Sequence, residues 1–136
     1  MLFGGKTEKT LNKKILCVED HQDTCELYEL LLPEYDLTFA KSVAQAIAFF
    51  EQNYFDLGIM DGRLCDGSGV DLCRKMLELK PDFPVIFVSG LARDNDIEAA
   101  KKAGASAYLT KPCDMDELQK IVKELIEKQQ SEKVEK

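Results

Sequence analysis

The stretch Phe55-Asp56-Leu57-Gly58-Ile59-Met60-Asp61-Gly62 constrains the fold more than any other part of the chain. It begins as a short apolar run that reads as a buried strand. The run ends abruptly in a carboxylate, Asp61. A glycine-rich turn carrying Gly62, Gly67 and Gly69 follows, and then a helical pattern starts. An acid at the carboxyl end of a buried strand, facing a loop, stands where open α/β sheets place their chemistry.

The rest of the chain repeats this grammar. Residues 1–12 are polar, contain a glycine pair and read as a loose tail. Ile15-Leu16-Cys17-Val18 is a short apolar strand that stops at Glu19-Asp20, a second strand ending in acids. Thr24, Leu27, Tyr28, Leu31 and Leu32 form one face of a first helix, which Pro33 terminates. Residues 35–40 read as a weaker strand. Ser42 is the expected N-cap of a helix with Val43, Ile47 and Phe50 on its apolar face. After the Asp61 strand, Ser68 caps a helix carrying Val70, Leu72, Cys73, Met76 and Leu77, which stops before Pro81. Val85-Ile86-Phe87-Val88 is the fourth strand and ends in Ser89-Gly90. A helix over residues 94–102 stops at Gly104. Ala107-Tyr108-Leu109 is the last strand and leads to Thr110-Lys111-Pro112. Asp114 with Glu117 resembles a capping box for a final helix with Met115, Leu118, Ile121, Val122 and Leu125 on one face. The charged run over residues 129–136 is expected to fray as a tail.

Five strand–helix units in strict alternation imply an α/β fold: a five-stranded parallel sheet, doubly wound with five helices. Right-handed crossovers make the flavodoxin-like strand order 2-1-3-4-5 the common solution. Its switch point lies between the first and third strands, which are the strands ending in Glu19-Asp20 and in Asp61. The 136 residues suffice for one domain with a real core, expected over residues 13–128.

The totals exclude several classes. A formal net charge of −7 argues against direct nucleic-acid binding, which needs a basic face. The five cysteines are odd in number and lack CxxC spacing, and the chain holds a single histidine, so a structural zinc site is set aside. With no signal-length apolar run and no stretch approaching a membrane span, a cytoplasmic protein with reduced thiols and no membrane partner is expected.

Carboxylates converging at one sheet edge repel one another unless a cation neutralises them. Oxygen-only ligands, with no nearby His or Cys, favour a hard ion, and magnesium commonly bridges carboxylates to a phosphate. Asp61 could then serve as nucleophile toward a phosphoryl group. Ser89 offers a hydroxyl donor and Lys111 an ammonium, both suited to phosphoryl oxygens. Alone, each residue has an ordinary explanation: Asp61 as a turn acid, Ser89 as one of many strand-ending serines, Lys111 as a solvated lysine. It is their order at successive strand ends that points to chemistry.

That order, an acid pair, then Asp, Ser and Lys-Pro at the ends of strands one, three, four and five, resembles the receiver domain of response regulators, the CheY-like family of two-component signalling. The resemblance spans about residues 13–128. It implies that Asp61 accepts phosphate from a sensor histidine kinase or a histidine phosphotransfer protein. It implies that Glu19, Asp20, Asp61 and the backbone carbonyl of Arg63 hold Mg²⁺, with Mn²⁺ as a substitute. It makes Ser89 the switch hydroxyl, Lys111 the phosphate-binding lysine and Tyr108 the aromatic switch, and it implies a cis bond at Lys111-Pro112. The face of helix four, strand five and helix five, over residues 93–102 and 107–120, is then expected to dock a downstream protein partner. Such a protein is no enzyme in the ordinary sense, since it catalyses its own phosphoryl uptake and hydrolysis. The sequence departs from the family pattern at Glu19, at Gly62, at Cys65 where a proline is usual, and at Cys113 after Lys-Pro. These touch loop rigidity and phosphate lifetime, as Arg63 and Leu91 also do, and remove no reacting group.

Two other classes lack the residues they would need. A magnesium-dependent phosphohydrolase would need a second aspartate two residues past Asp61, where Arg63 stands, and a cap over its substrate. A flavodoxin-like cofactor binder would need a Ser/Thr-rich phosphate cradle in place of acids. His21 reads as a polar residue opening the first helix, the cysteines read as core and loop residues, and the glycine spacing lacks GxGxxG order.

Overall fold

The computed structural model describes residues 12–135, with side chains through residue 129. The tail expected over residues 1–12 therefore lies, apart from Asn12, outside the described residues. The elements run β1 (Lys14–Val18), α1 (Gln22–Leu31), β2 (Asp36–Ala40), α2 (Val43–Gln52), β3 (Leu57–Met60), β4 (Arg63–Leu64), β5 (Gly67–Ser68), α3 (Gly69–Leu79), β6 (Val85–Ser89), α4 (Asp94–Lys102), β7 (Ala107–Thr110) and α5 (Met115–Glu135).

β2, β1, β3, β6 and β7 form one parallel sheet in that order. Counted among the sheet strands alone, this is the expected 2-1-3-4-5. Alternation along each strand divides the core into two. Leu16, Val18, Met60, Val85 and Phe87 point to one face and pack with Ala46 of α2, Leu72, Cys73 and Met76 of α3, and Ala100 of α4. Ile15, Cys17, Leu57, Ile59, Ile86 and Val88 point to the other and pack with Tyr28 and Leu31 of α1 and Leu118, Val122 and Ile126 of α5. Strands covered on both faces have no polar side, which explains the unbroken apolar runs.

The caps read from sequence hold. Ser42 Oγ accepts from the Gln45 amide at 3.1 Å, Ser68 Oγ from Asp71 at 3.1 Å, and Asp114 Oδ1 from Asp116 and Glu117 at 2.9 and 3.2 Å. Gly104 has φ 103°, and a Cβ there would meet Leu77 Cδ1 at 2.4 Å, so glycine is required.

Two features differ from the sequence reading. The glycine-rich turn after Asp61 is a small antiparallel hairpin, Arg63 opposite Ser68 and Leu64 opposite Gly67. Its tip is tied down: Asp66 accepts from the amides of Val43 and Ala44 at 2.7 and 3.1 Å, at the start of α2. The last helix also runs on through the charged segment to Glu135 in place of a tail. That segment holds Glu, Lys, Gln and Ser without Pro or Gly, a composition that continues a helix readily.

Candidate functional site

The backbone ladders run past the strand ends and fix the acids in register. The Glu19 amide donates to the Ala40 carbonyl at 2.9 Å, and the Asp61 amide to that of Val18 at 3.1 Å. One edge further, the Lys111 amide donates to the Ser89 carbonyl at 2.8 Å. Glu19, Asp61 and Ser89 are all buried, although each is polar. Burial of this kind requires partners.

Lys111 is the principal one. Its Nζ lies 2.9 Å from Glu19 Oε1 and 3.4 Å from Asp61 Oδ2, bridging the carboxyl groups of β1 and β3. Burial pulls the Lys111 pKa down, but the hydrogen bond and charge of Glu19 and the charge of Asp61 outweigh it and hold the ammonium above the ordinary lysine value. The Lys111–Pro112 peptide bond is cis. On the other side of Glu19, His21 Nδ1 lies 2.9 Å from Glu19 Oε2 and 3.1 Å from Asp20 Oδ1. The hydrogen bond to Glu19, then the charges of Asp20 and Glu19, raise the imidazole pKa against its slight burial and the charge of Lys111.

The expectation that no histidine lies near the carboxylates is therefore corrected. One ligand-type atom from each of Glu19, Asp20, His21 and Asp61 lies within 4.8 Å of all the others. His21 stands before the first residue of α1 but makes no capping hydrogen bond. Its place beside Glu19-Asp20 was the available signal, hidden because that position also opens a helix. The cluster fits a divalent cation on its own terms: Asp20 Oδ1 is buried and makes no hydrogen bond among the described residues, although it faces His21 Nδ1 at 3.1 Å. A buried carboxylate oxygen without a hydrogen bond is stabilised by a positive charge, whether a protonated ring or a metal ion.

Ser89 Oγ accepts from the Leu91 amide at 3.1 Å, and the Leu91 carbonyl accepts from the Tyr108 hydroxyl. One residue, Leu91, thus links the hydroxyl of β6 to the aromatic residue of β7 through its amide and its carbonyl. The Tyr108 ring stacks on Phe87, with centroids 5.7 Å apart and planes 5° from parallel. Burial raises the Tyr108 pKa, and the charges of Asp96 and Asp61 add to the rise. Sequence reasoning named Ser89 and Tyr108 but could not see the Leu91 backbone between them, because backbone groups leave no mark in a sequence.

Gly62 and Gly69 permit the packing behind Asp61. A Cβ at Gly62 would sit 2.9 Å from Ser89 Oγ, and one at Gly69 would sit 2.2 Å from the Asp61 carbonyl oxygen. The Arg63 amide lies 3.5 Å from Asp61 Oδ1, while the Arg63 side chain points to solvent. Burial raises the thiol pKa of Cys17, Cys25, Cys73 and Cys113, that of Cys73 to about 11, which fits packing residues better than reactive thiols. Among the described residues no helix is long and apolar enough to cross a membrane.

Comparison with known proteins agrees with this geometry. The response regulator receiver domain family matches residues 15–123. The response regulator protein PilR of Pseudomonas aeruginosa is 36% identical over 112 residues, covering 81% of this chain and 25% of PilR. The DNA-binding transcriptional activator DevR/DosR of Mycobacterium tuberculosis is 35% identical over 116 residues, covering 82% of this chain and 54% of that protein. The chain thus spans between a quarter and about half of these relatives. Among solved structures, a CheY-like receiver domain protein from Methanospirillum hungatei superposes with TM-score 0.84 at 29% identity, covering 89% of this chain and 98% of its own. The receiver domain of an HD domain-containing protein from Pseudomonas fluorescens gives 0.84 at 27% identity, covering 90% and 92%. With the family match over most of its length, a CheY-like sheet and an acid–lysine cluster at the switch point, this chain belongs to the response regulator receiver domains of two-component signalling.

Proposed function

We propose that the receiver unit, residues 13–128, takes a phosphoryl group onto Asp61 and carries it as a switch. The observation that supports this most is the bridge from Lys111 to Glu19 and Asp61 beside the Asp20 carboxylate. Such a cluster holds one organic cation and has room in its chemistry for an inorganic one. Glu19, Asp20, Asp61 and the Arg63 carbonyl would hold Mg²⁺, with Mn²⁺ as a substitute. When bound, the ion offsets negative charge on the carboxylates and on an incoming phosphoryl group.

The chain's own residues do the rest. An Asp61 carboxylate oxygen attacks phosphorus. A P–O bond forms as the P–N bond to the donor imidazole breaks, and the imidazole leaves with the bond pair and takes up a proton. Lys111 shifts its ammonium from the carboxylates toward a phosphoryl oxygen, and the Ser89 hydroxyl donates to another. Hydrolysis later returns the carboxylate and inorganic phosphate as water attacks phosphorus.

A shift of the Ser89 hydroxyl toward a phosphoryl oxygen would pull on the bond that Ser89 Oγ accepts from the Leu91 amide, and the carbonyl of the same residue holds Tyr108. Phosphorylation is thereby felt on the face of α4, β7 and α5, where a downstream protein docks. The donor is a sensor histidine kinase or a histidine phosphotransfer protein, and the setting is the cytoplasm. A net charge of −7 argues against DNA contact by this unit itself. Intact-protein mass after incubation with acetyl phosphate and Mg²⁺ tests the reading. A gain of one phosphoryl group in the wild type and none in Asp61→Asn is expected. A gain in both, or in neither, refutes the assignment of Asp61.

A further inference from the structure

His21 is the only histidine in the chain, and its ring is turned away from the job its position offers. The residue before α1 could cap the helix, yet its side chain makes no capping bond. Nδ1 instead faces Glu19 Oε2 and Asp20 Oδ1, at 2.9 and 3.1 Å. Lys111 occupies the opposite side, on Glu19 Oε1 and Asp61 Oδ2. The cluster is therefore divided: an ammonium serves one set of oxygens, and an imidazole nitrogen looks at the other. Asp20 Oδ1, which makes no hydrogen bond among the described residues, lies on the imidazole side, where His21 Nδ1 is its charge partner.

We propose that His21 Nδ1 is a ligand to the divalent ion of the Glu19–Asp20–Asp61 cluster, so that the site takes imidazole-favouring first-row metals such as Co²⁺ in preference to Mg²⁺. The inference rests on reading the cluster as a cation site. Mg²⁺ takes oxygen ligands, keeps several waters and dehydrates reluctantly. Co²⁺, Ni²⁺ and Zn²⁺ bind imidazole well, and their affinities at mixed N/O sites rise along the row. An all-carboxylate cluster gives such ions little advantage. One nitrogen among three carboxylates gives them a specific one. As a ligand, His21 would offer the Nδ1 lone pair of its neutral ring. The ring is 69% exposed, so it can adjust to the ion without disturbing the core.

The test is equilibrium binding of Co²⁺ and of Mg²⁺, each alone, to the full chain by calorimetry in mildly alkaline buffer, with the visible spectrum of Co²⁺ as a second readout. Cys65→Ser is the parent, since Cys65 is exposed and a thiolate would take Co²⁺ elsewhere. His21→Gln, which keeps a polar side chain but no imidazole, is expected to weaken Co²⁺ by about tenfold or more and to change Mg²⁺ by less than about twofold. Asp20→Asn is expected to weaken both ions. If His21→Gln leaves Co²⁺ unchanged, or weakens both ions equally, His21 is a counter-charge and the inference fails alone. If Co²⁺ binds Asp20→Asn undiminished, it sits outside the cluster and the inference fails. If the parent binds neither ion, the cation-site reading fails with it.

Discussion

At the scale of single residues, Lys111 decides whether the site can exist. Two buried carboxylates, from Glu19 and Asp61, face each other across its ammonium. Lys111→Met keeps much of the side-chain volume and removes the charge. It should lower folding stability by about 1–3 kcal/mol, because a buried acid left without its cation is worse than the pair was good. The pH dependence follows from a folded-state pKa raised above the unfolded one. The stabilisation is fully present below the ordinary lysine pKa of about 10.4 and is lost as pH rises through the higher folded value. Denaturant unfolding of wild type and variant should therefore differ by a constant amount through neutral pH and converge in the alkaline range. A gap that stays constant to high pH would assign the loss to packing. The positions at this scale were legible in the sequence: Glu19, Asp20, Asp61, Ser89 and Lys111 all lie at the strand ends where the strand pattern put them. The contacts of His21 were not, since a residue that opens a helix reads first as part of that helix start, and its turn toward Glu19 and Asp20 is set by the fold.

At the scale of elements, the hairpin of β4 and β5 is the part the sequence concealed. Its strands are two residues each, too short for alternation to register, and glycine and serine carry no strand signal. What holds it is a contact across sequence, Asp66 onto the first amides of α2. Those amides are among the unpaired donors that every helix start presents, and a carboxylate there also meets the positive end of the helix dipole. The bonds lower the Asp66 pKa, backbone amides first and slight burial opposing. The sign is that of a depressed acid: the stabilisation is present above the unfolded carboxylate pKa and vanishes as pH falls through the lower folded one. Asp66→Ala should lower the thermal midpoint at neutral pH, with the difference shrinking below about pH 4. Because the hairpin follows Asp61 directly, the same variant should quicken hydrogen exchange over residues 62–68. Equal midpoints at neutral pH would show that the tip is held by Leu64 burial instead. The longer elements were read correctly for the converse reason: strands buried on both faces and helices with one apolar stripe leave patterns that no other packing produces.

At the scale of the whole molecule, the question is how a change at one sheet edge reaches a face that touches no phosphate. The Leu91 backbone offers a route with two hydrogen bonds, its amide to Ser89 and its carbonyl from Tyr108, and Tyr108 lies in β7 beside α4. A route of this kind carries coupling only if both ends move together. Tyr108→Phe separates the parts. The ring and its stacking on Phe87 remain, while the bond to the Leu91 carbonyl is lost, at a stability cost of about 0.5–1.5 kcal/mol. Phosphoryl uptake from acetyl phosphate should proceed at nearly the wild-type rate, because the Tyr108 hydroxyl is engaged by the Leu91 carbonyl and not by the acid cluster. The difference should appear downstream. In the wild type, phosphorylation should alter hydrogen-exchange protection across α4 and β7. In Tyr108→Phe that response should shrink severalfold while protection changes next to Asp61 persist. A full response in α4 and β7 without the hydroxyl would mean that the signal crosses through the β6–β7 ladder itself, with Tyr108 a packed side chain and no more.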